Sequence, residues 1–173
     1  MNLSRIRVRA GYTAGAIALF FARPDLHSFE QGVLLVIAGE IIRLWASGHI
    51  EKTLRLATGG PYAHTRNPLY VGSVVMALGL LWIANHPASG LAGVLYLAVF
   101  YPLIIREEAK FLRERFKDEY RAWAASVPLF LPRLTPAGPR ASRFSLDRVK
   151  ANHEWRTVLG LAVLCGLIFF RVR

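Results

Sequence analysis

Five apolar blocks, roughly residues 6–22, 31–50, 69–86, 89–105 and 155–172, leave this chain few ways to fold. At ~1.5 Å of rise per residue each block approaches the ~30 Å of a bilayer's hydrocarbon layer, and none is an ideal uninterrupted span of ~20 residues. The last has the shortest core, Thr157 to Phe170, with Trp155, Arg156, Arg171 and Arg173 at its ends as interfacial anchors. A helix lying in the interface is the alternative there. Hydrophobic residues make up 54% of the 173, as a membrane protein requires. The expectation is one all-α domain over residues 1–173, a polytopic membrane bundle of about five transmembrane helices. The run Ala10–Ala22 is followed by Arg23-Pro24-Asp25 without a small-x-small cleavage site, so it reads as the first span rather than a signal peptide.

The net charge of +11 would suggest nucleic acid in a soluble protein. Here it follows topology. Arg5, Arg7 and Arg9 stand at the start of the first block, three basic residues lie between the second and third, and twelve run from Arg106 to Arg156. With five spans these regions share one face, which the positive-inside rule makes cytoplasmic. The predicted location is therefore the inner membrane, with the N-terminus inside. Anionic lipid is an expected partner and nucleic acid is not. Cys165 lies alone in the last block, a packing residue with no metal-ligand cluster around it.

Glu40 and Arg43, at i and i+3 within the second block, share a helix face. A charge inside a span faces the bundle or a cavity. The pair either neutralises itself or leaves Arg43 for an anionic ligand. Trp45 sits near the cytoplasmic end, where interfacial aromatics gather.

Between the second and third blocks runs Gly59-Gly60-Pro61-Tyr62-Ala63-His64-Thr65-Arg66-Asn67-Pro68-Leu69-Tyr70-Val71-Gly72. A plain connector needs only a few turn residues. This one builds irregular backbone whose free N–H and C=O groups a polar ligand can approach. Pro68 suits a first helical turn, and Gly72, Ser73, Ala77 and Gly79 give the next helix a small-residue content that lets neighbours come close. After the fourth block, which Pro102 is expected to kink, comes Arg106-Glu107-Glu108. Leu112, Phe116, Tyr120 and Trp123 then fall on one stripe of a charged helix. This reads as a cytoplasmic amphipathic helix, its stripe in lipid or against the bundle. Residues 133–150 read as a linker.

The loop resembles the signature of the isoprenylcysteine carboxyl methyltransferase family, close to Gly-x-Tyr-x-x-x-Arg-His-Pro-x-Tyr-x-Gly. Gly60, Tyr62, Arg66, Pro68, Tyr70 and Gly72 meet it, and Asn67 stands where the family has His. The Glu pair and the run to Phe, Tyr and Val127-Pro128 resemble the family's C-terminal part. The resemblance covers about residues 40–132. It implies a membrane methyltransferase using S-adenosylmethionine on a lipophilic acceptor, an isoprenylcysteine-like carboxylate, with phospholipid N-methylation as the alternative. A non-enzymatic lipid- or partner-binding protein and a reductase are the rivals outside that class. The implied cofactor residues are Leu54, Arg55, Leu56, Ala57, Tyr62, Arg66, Asn67, Pro68, Leu69, Tyr70, Glu107 and Glu108. Arg106 and Glu107 are the implied catalytic residues. Arg43, Trp45, Gly72 and Arg106 are the implied acceptor residues, around a slot beside Tyr70 that reaches Pro102. His49 lies too far upstream to fill the family's His position before the loop, where Leu54 stands.

Overall fold

The computed structural model describes residues 3–51, 55–137 and 143–172, with side chains from residue 6 onward. Six α-helices follow in order: α1 Leu3–Phe21, α2 Leu26–Ser47, α3 Pro68–Ala84, α4 Pro87–Ser126, α5 Leu146–Ala151 and α6 Glu154–Phe169. A 3-10 turn, Gly60–Ala63, lies between α2 and α3. No strand occurs among the described residues.

Local sequence sets the helix ends. Asp25 caps α2, its carboxylate accepting from the Ser28 N–H at 2.7 Å while the Ser28 hydroxyl accepts from the Asp25 N–H at 3.1 Å. Pro68 opens α3 as expected, and Asn85 closes it at φ +46°, a left-handed position that Asn tolerates. α4 departs from expectation. It continues without a break at Arg106 from the apolar block into the charged stripe, 40 residues in two helical parts. Pro102 stays inside it, and the break comes at Lys117, where φ is +40°. The predicted amphipathic helix is thus the far half of α4.

The long helices run antiparallel to their neighbours. On α2 and α3, Gly39 faces Gly72 and Gly32 faces Gly79. A methyl on Gly72 would sit 2.6 Å from the Gly39 carbonyl oxygen, and one on Gly79 2.7 Å from that of Gly32. Only glycine permits this approach of two backbones. α1 lies along α4, with the Ser89 hydroxyl donating to the Ala18 carbonyl at 2.9 Å. α6 lies along α2, with Phe29 meeting Phe169 at one end and Arg43 meeting Glu154 at the other. The α2–α3 loop, the far half of α4 and α5 therefore gather at one end of the bundle.

Outward faces are apolar: Leu34, Ile37 and Ile41 on α2, Leu91, Leu95 and Val99 on α4, and Leu159, Val163 and Leu167 on α6 are all exposed. Among the described residues one helix, α4, is long and apolar enough to cross a membrane; α3 is apolar but has 17 residues. The observed architecture is an all-helical bundle, and the count of about five membrane crossings goes beyond it.

Candidate functional site

The site end is built around Gly60. Its φ of +58° turns the loop back on itself, and a side chain there would run into the His49 imidazole. His49 is buried, and its Nδ1 lies 2.9 Å from the Trp45 carbonyl. A carbonyl only accepts, so Nδ1 carries the proton. The histidine that seemed too distant in sequence thus packs directly under the loop.

The segment after α4 holds the loop's other side by backbone pairing. Arg66 N–H donates to the Pro128 carbonyl at 2.9 Å, Arg133 N–H to His64 at 2.9 Å, and Ala137 N–H to Ala63 at 2.9 Å. The Thr65 hydroxyl donates to Phe130 and the Asn67 amide to Leu129, each at 2.8 Å. Asn67 is thus buried, with its amide bonded to the segment after α4. Pro68 is fully buried. The stripe of α4 turns toward the loop rather than toward lipid. Tyr120 and Trp123 are buried beside Tyr62, and the Trp123 indole N–H donates to the Tyr62 carbonyl at 3.1 Å.

Between loop and stripe lies a cavity of about 280 Å3, near the lower end of the ~300–1,000 Å3 usual for small-molecule sites. Arg55, Leu56, Ala57, Tyr62, Arg66, Leu69 and Glu108 line it, seven of the expected cofactor residues. Leu54 lies outside the described residues. Phe111, Leu112, Phe116 and Trp123 add an aromatic and aliphatic wall from α4. The Arg66 guanidinium donates to the Tyr120 hydroxyl at 3.2 Å, and its buried Nε has no hydrogen-bond partner among the described residues. Burial, with the Glu108 and Glu154 carboxylates nearby, pushes the Tyr62 phenol well above its ordinary pKa, so it stays neutral. Tyr70 stands outside the wall, with the Glu108 carboxylate in the neighbourhood of its phenol. Its ring meets Tyr101 edge-on at 5.8 Å.

The expected acceptor residues do not converge. Arg106 borders an apolar groove of about 490 Å3 between α3 and α4, with Val74, Leu78, Ala98, Tyr101 and Pro102. Trp45 lines a different cavity of about 220 Å3 with His64 and Pro68. Gly72 faces α2 and lines neither. The slot expected beside Tyr70 is thus a groove reaching Tyr101, Pro102 and Arg106 without Gly72 or Trp45. Arg43 is engaged inside the bundle. It donates to both Glu154 oxygens at 2.9 and 3.0 Å and to Ser73 at 2.5 Å. Its Nε lies 3.9 Å from Glu40. Glu107 is exposed and lines neither the cavity nor the groove.

Sequence reasoning missed Glu51, which also lines the cavity. Only its position just past the second block marked it. The segment read as a linker also reaches the site, through Phe144 against His49 and Ser145 N–H on the Gly48 carbonyl at 3.0 Å.

Residues 28–119 match the family described as phospholipid methyltransferase. Among curated proteins, the cobalt-zinc-cadmium resistance protein CzcN of Cupriavidus metallidurans is 37% identical over 106 residues, 60% of this chain and 49% of that protein. The nickel-cobalt-cadmium resistance protein NccN of Alcaligenes xylosoxydans is 35% identical over 143 residues, 79% of this chain and 66% of that one. The protein-S-isoprenylcysteine O-methyltransferase of Schizosaccharomyces pombe is 32% identical over 107 residues, 62% of this chain and 45% of that enzyme. The chain thus spans between about half and two thirds of these relatives' lengths. No solved structure matches it.

Proposed function

The chain belongs to the phospholipid methyltransferase family, and from that we propose that it methylates a lipophilic acceptor at a membrane surface with S-adenosylmethionine as donor. The observation that carries this is the cavity that Arg66 and Glu108 line together with an aromatic wall. Its donor set suits the cofactor's groups. Arg66, with a buried N–H still unsatisfied, would hold the carboxylate. Glu108 would hold the ammonium group, and Phe111, Phe116 and Trp123 would border the adenine. When bound, the cofactor supplies an electrophilic methyl group on a sulfonium.

The groove between α3 and α4 would take the acceptor. Its walls are apolar, and Arg106 at its end suits an anionic head group. A carboxylate acceptor is ionised at neutral pH and needs no base. The protein's task is then alignment and exclusion of water. Tyr70, whose ring meets Tyr101 of the groove edge-on, would link the acceptor's space to Glu108 of the cavity. Isoprenylcysteine-like carboxylates are the first acceptors to try. The family description makes phospholipid amines the second, with Glu108 nearest to serve as base.

The apolar outward faces support a membrane setting for the whole bundle, with α1, α2, α3, α4 and α6 crossing and the site end cytoplasmic. A reporter after Arg173 should then lie outside the cytoplasm, and one at residues 143–145 inside. A cytoplasmic C-terminal reporter would remove α6 from the set of spans.

Calorimetry with S-adenosylhomocysteine tests the cofactor assignment. Arg66→Ala and Glu108→Gln should each weaken binding by ~1.5–3 kcal/mol, the range for a hydrogen bond to a charged group. Wild-type affinity in both variants would move the cofactor elsewhere.

A further inference from the structure

We propose that Glu51, clamped by Arg148 of α5, is the group in this cavity that binds the ribose hydroxyls of the cofactor. The proposal rests on the reading of the cavity as the S-adenosylmethionine site. Arg66 and Glu108 account for the amino-acid end of that ligand, and the aromatic wall for its base. A ribose between them presents two hydroxyl donors, and the lining must offer an acceptor that is not already used.

Two carboxylates line the cavity, Glu108 from α4 and Glu51 from the segment just after α2. Glu51 is held in an unusual way. Its Oε1 accepts from the Arg148 guanidinium, which reaches it from α5. Among the described residues its Oε2 has only Arg55 as an ion-pair partner, at 4.0 Å, beyond hydrogen-bond distance. The Arg55 side chain is 85% exposed, so it is free to swing away. One oxygen is fixed and the other keeps its lone pairs for a ligand. A carboxylate so anchored loses little entropy when it binds a diol, and a charged acceptor makes stronger bonds to hydroxyls than a neutral one.

The anchor is itself anchored. Arg148 also donates to the Arg143 carbonyl at 2.8 Å. Asn152, at the end of α5, donates to the Ser47 and Ile50 carbonyls at 2.9 and 3.3 Å. These bonds dock α5 on the last turn of α2, beside Glu51. The bland reading is that Arg148–Glu51 merely fastens α5. That reading predicts no sensitivity to the ligand's hydroxyls.

The test is calorimetric binding of S-adenosylhomocysteine and of its 2′,3′-dideoxy analogue. Wild-type protein should bind the dideoxy compound about tenfold or more weakly, as loss of hydrogen bonds to a charged acceptor implies. Glu51→Gln should lose about tenfold for the parent ligand and bind the two compounds within about twofold of each other. Arg148→Ala should shrink the discrimination while leaving the carboxylate in place. Equal binding of the two compounds by wild-type protein overturns the proposal without any variant. So does undiminished discrimination in Glu51→Gln. Failure of wild-type protein to bind S-adenosylhomocysteine at all would instead overturn the cofactor assignment on which the proposal stands.

Discussion

Gly72→Leu is expected to cost the protein stability rather than its acceptor. The position had suggested a slot wall, where a larger residue would block a lipid tail and spare cofactor binding. Its surroundings argue otherwise. A Cβ at Gly72 would lie 2.6 Å from the Gly39 carbonyl oxygen and 2.7 Å from Arg43 Cγ. The first contact is backbone, which no rotamer change relieves. α2 and α3 must separate, and with them the Gly32–Gly79 crossing, which depends on the same approach. Overpacking costs typically ~1–3 kcal/mol, and a clash with backbone belongs at the upper end. About 3 kcal/mol is a large share of a native stability of ~5–15 kcal/mol. For a chain of this size it lowers the melting temperature by roughly 10 °C. Gly160→Leu is the control, since nothing lies within 4 Å of its added Cβ. A Gly72→Leu protein that melts like wild type and loses only turnover would restore the slot.

Much of the cavity's lining was legible because it is carried by side chains in a short motif. Tyr62, Arg66 and Glu108 meet across one cavity although 42 residues of chain separate Arg66 from Glu108. Blocks of apolar residues located the long helices, and the antiparallel hairpin of α3 and α4 then required the loop and the Glu pair to share an end. What was not legible is what leaves no side-chain trace. The strap from Pro128 to Ala137 holds the loop mostly through backbone N–H and C=O groups, which every residue has. The motif positions Asn67 and Pro68 do not line the cavity of about 280 Å3: one is bonded to Leu129 and the other is buried at a helix start. Glu51 carried no pattern, because its partner Arg148 lies in a segment whose composition suggested only a linker. The far half of α4 was read as a separate helix because its composition changes at Arg106. A change of surroundings alters composition without interrupting the hydrogen-bond ladder, and the ladder decides where a helix ends.

The same blindness applied to Arg43, whose main partner is 111 residues away. Arg43→Leu should be the most damaging single change of charge in the bundle. Glu154 and Glu40 are both buried, at 6% and 8% exposure. Glu154 takes two hydrogen bonds from Arg43, while both Glu40 oxygens have none among the described residues and depend on the guanidinium at 3.9 Å. Removing the cation strands two carboxylates away from water. Breaking a buried pair from one side costs about 3–5 kcal/mol, most of it the penalty of the charge left behind. The sign of the remedy follows. Arg43→Leu combined with Glu154→Leu should recover part of the loss, and adding Glu40→Leu should recover more, since an apolar replacement of a buried ionic group is often neutral in stability. Thermal unfolding of the detergent-purified protein reads all three. If Arg43 instead meets an anionic acceptor, Arg43→Leu will melt like wild type and fail only in turnover. Glu154→Leu alone would then gain activity by freeing the guanidinium. On the geometry observed it should lose stability, because the freed guanidinium would be left with Ser73 and a carboxylate at 3.9 Å.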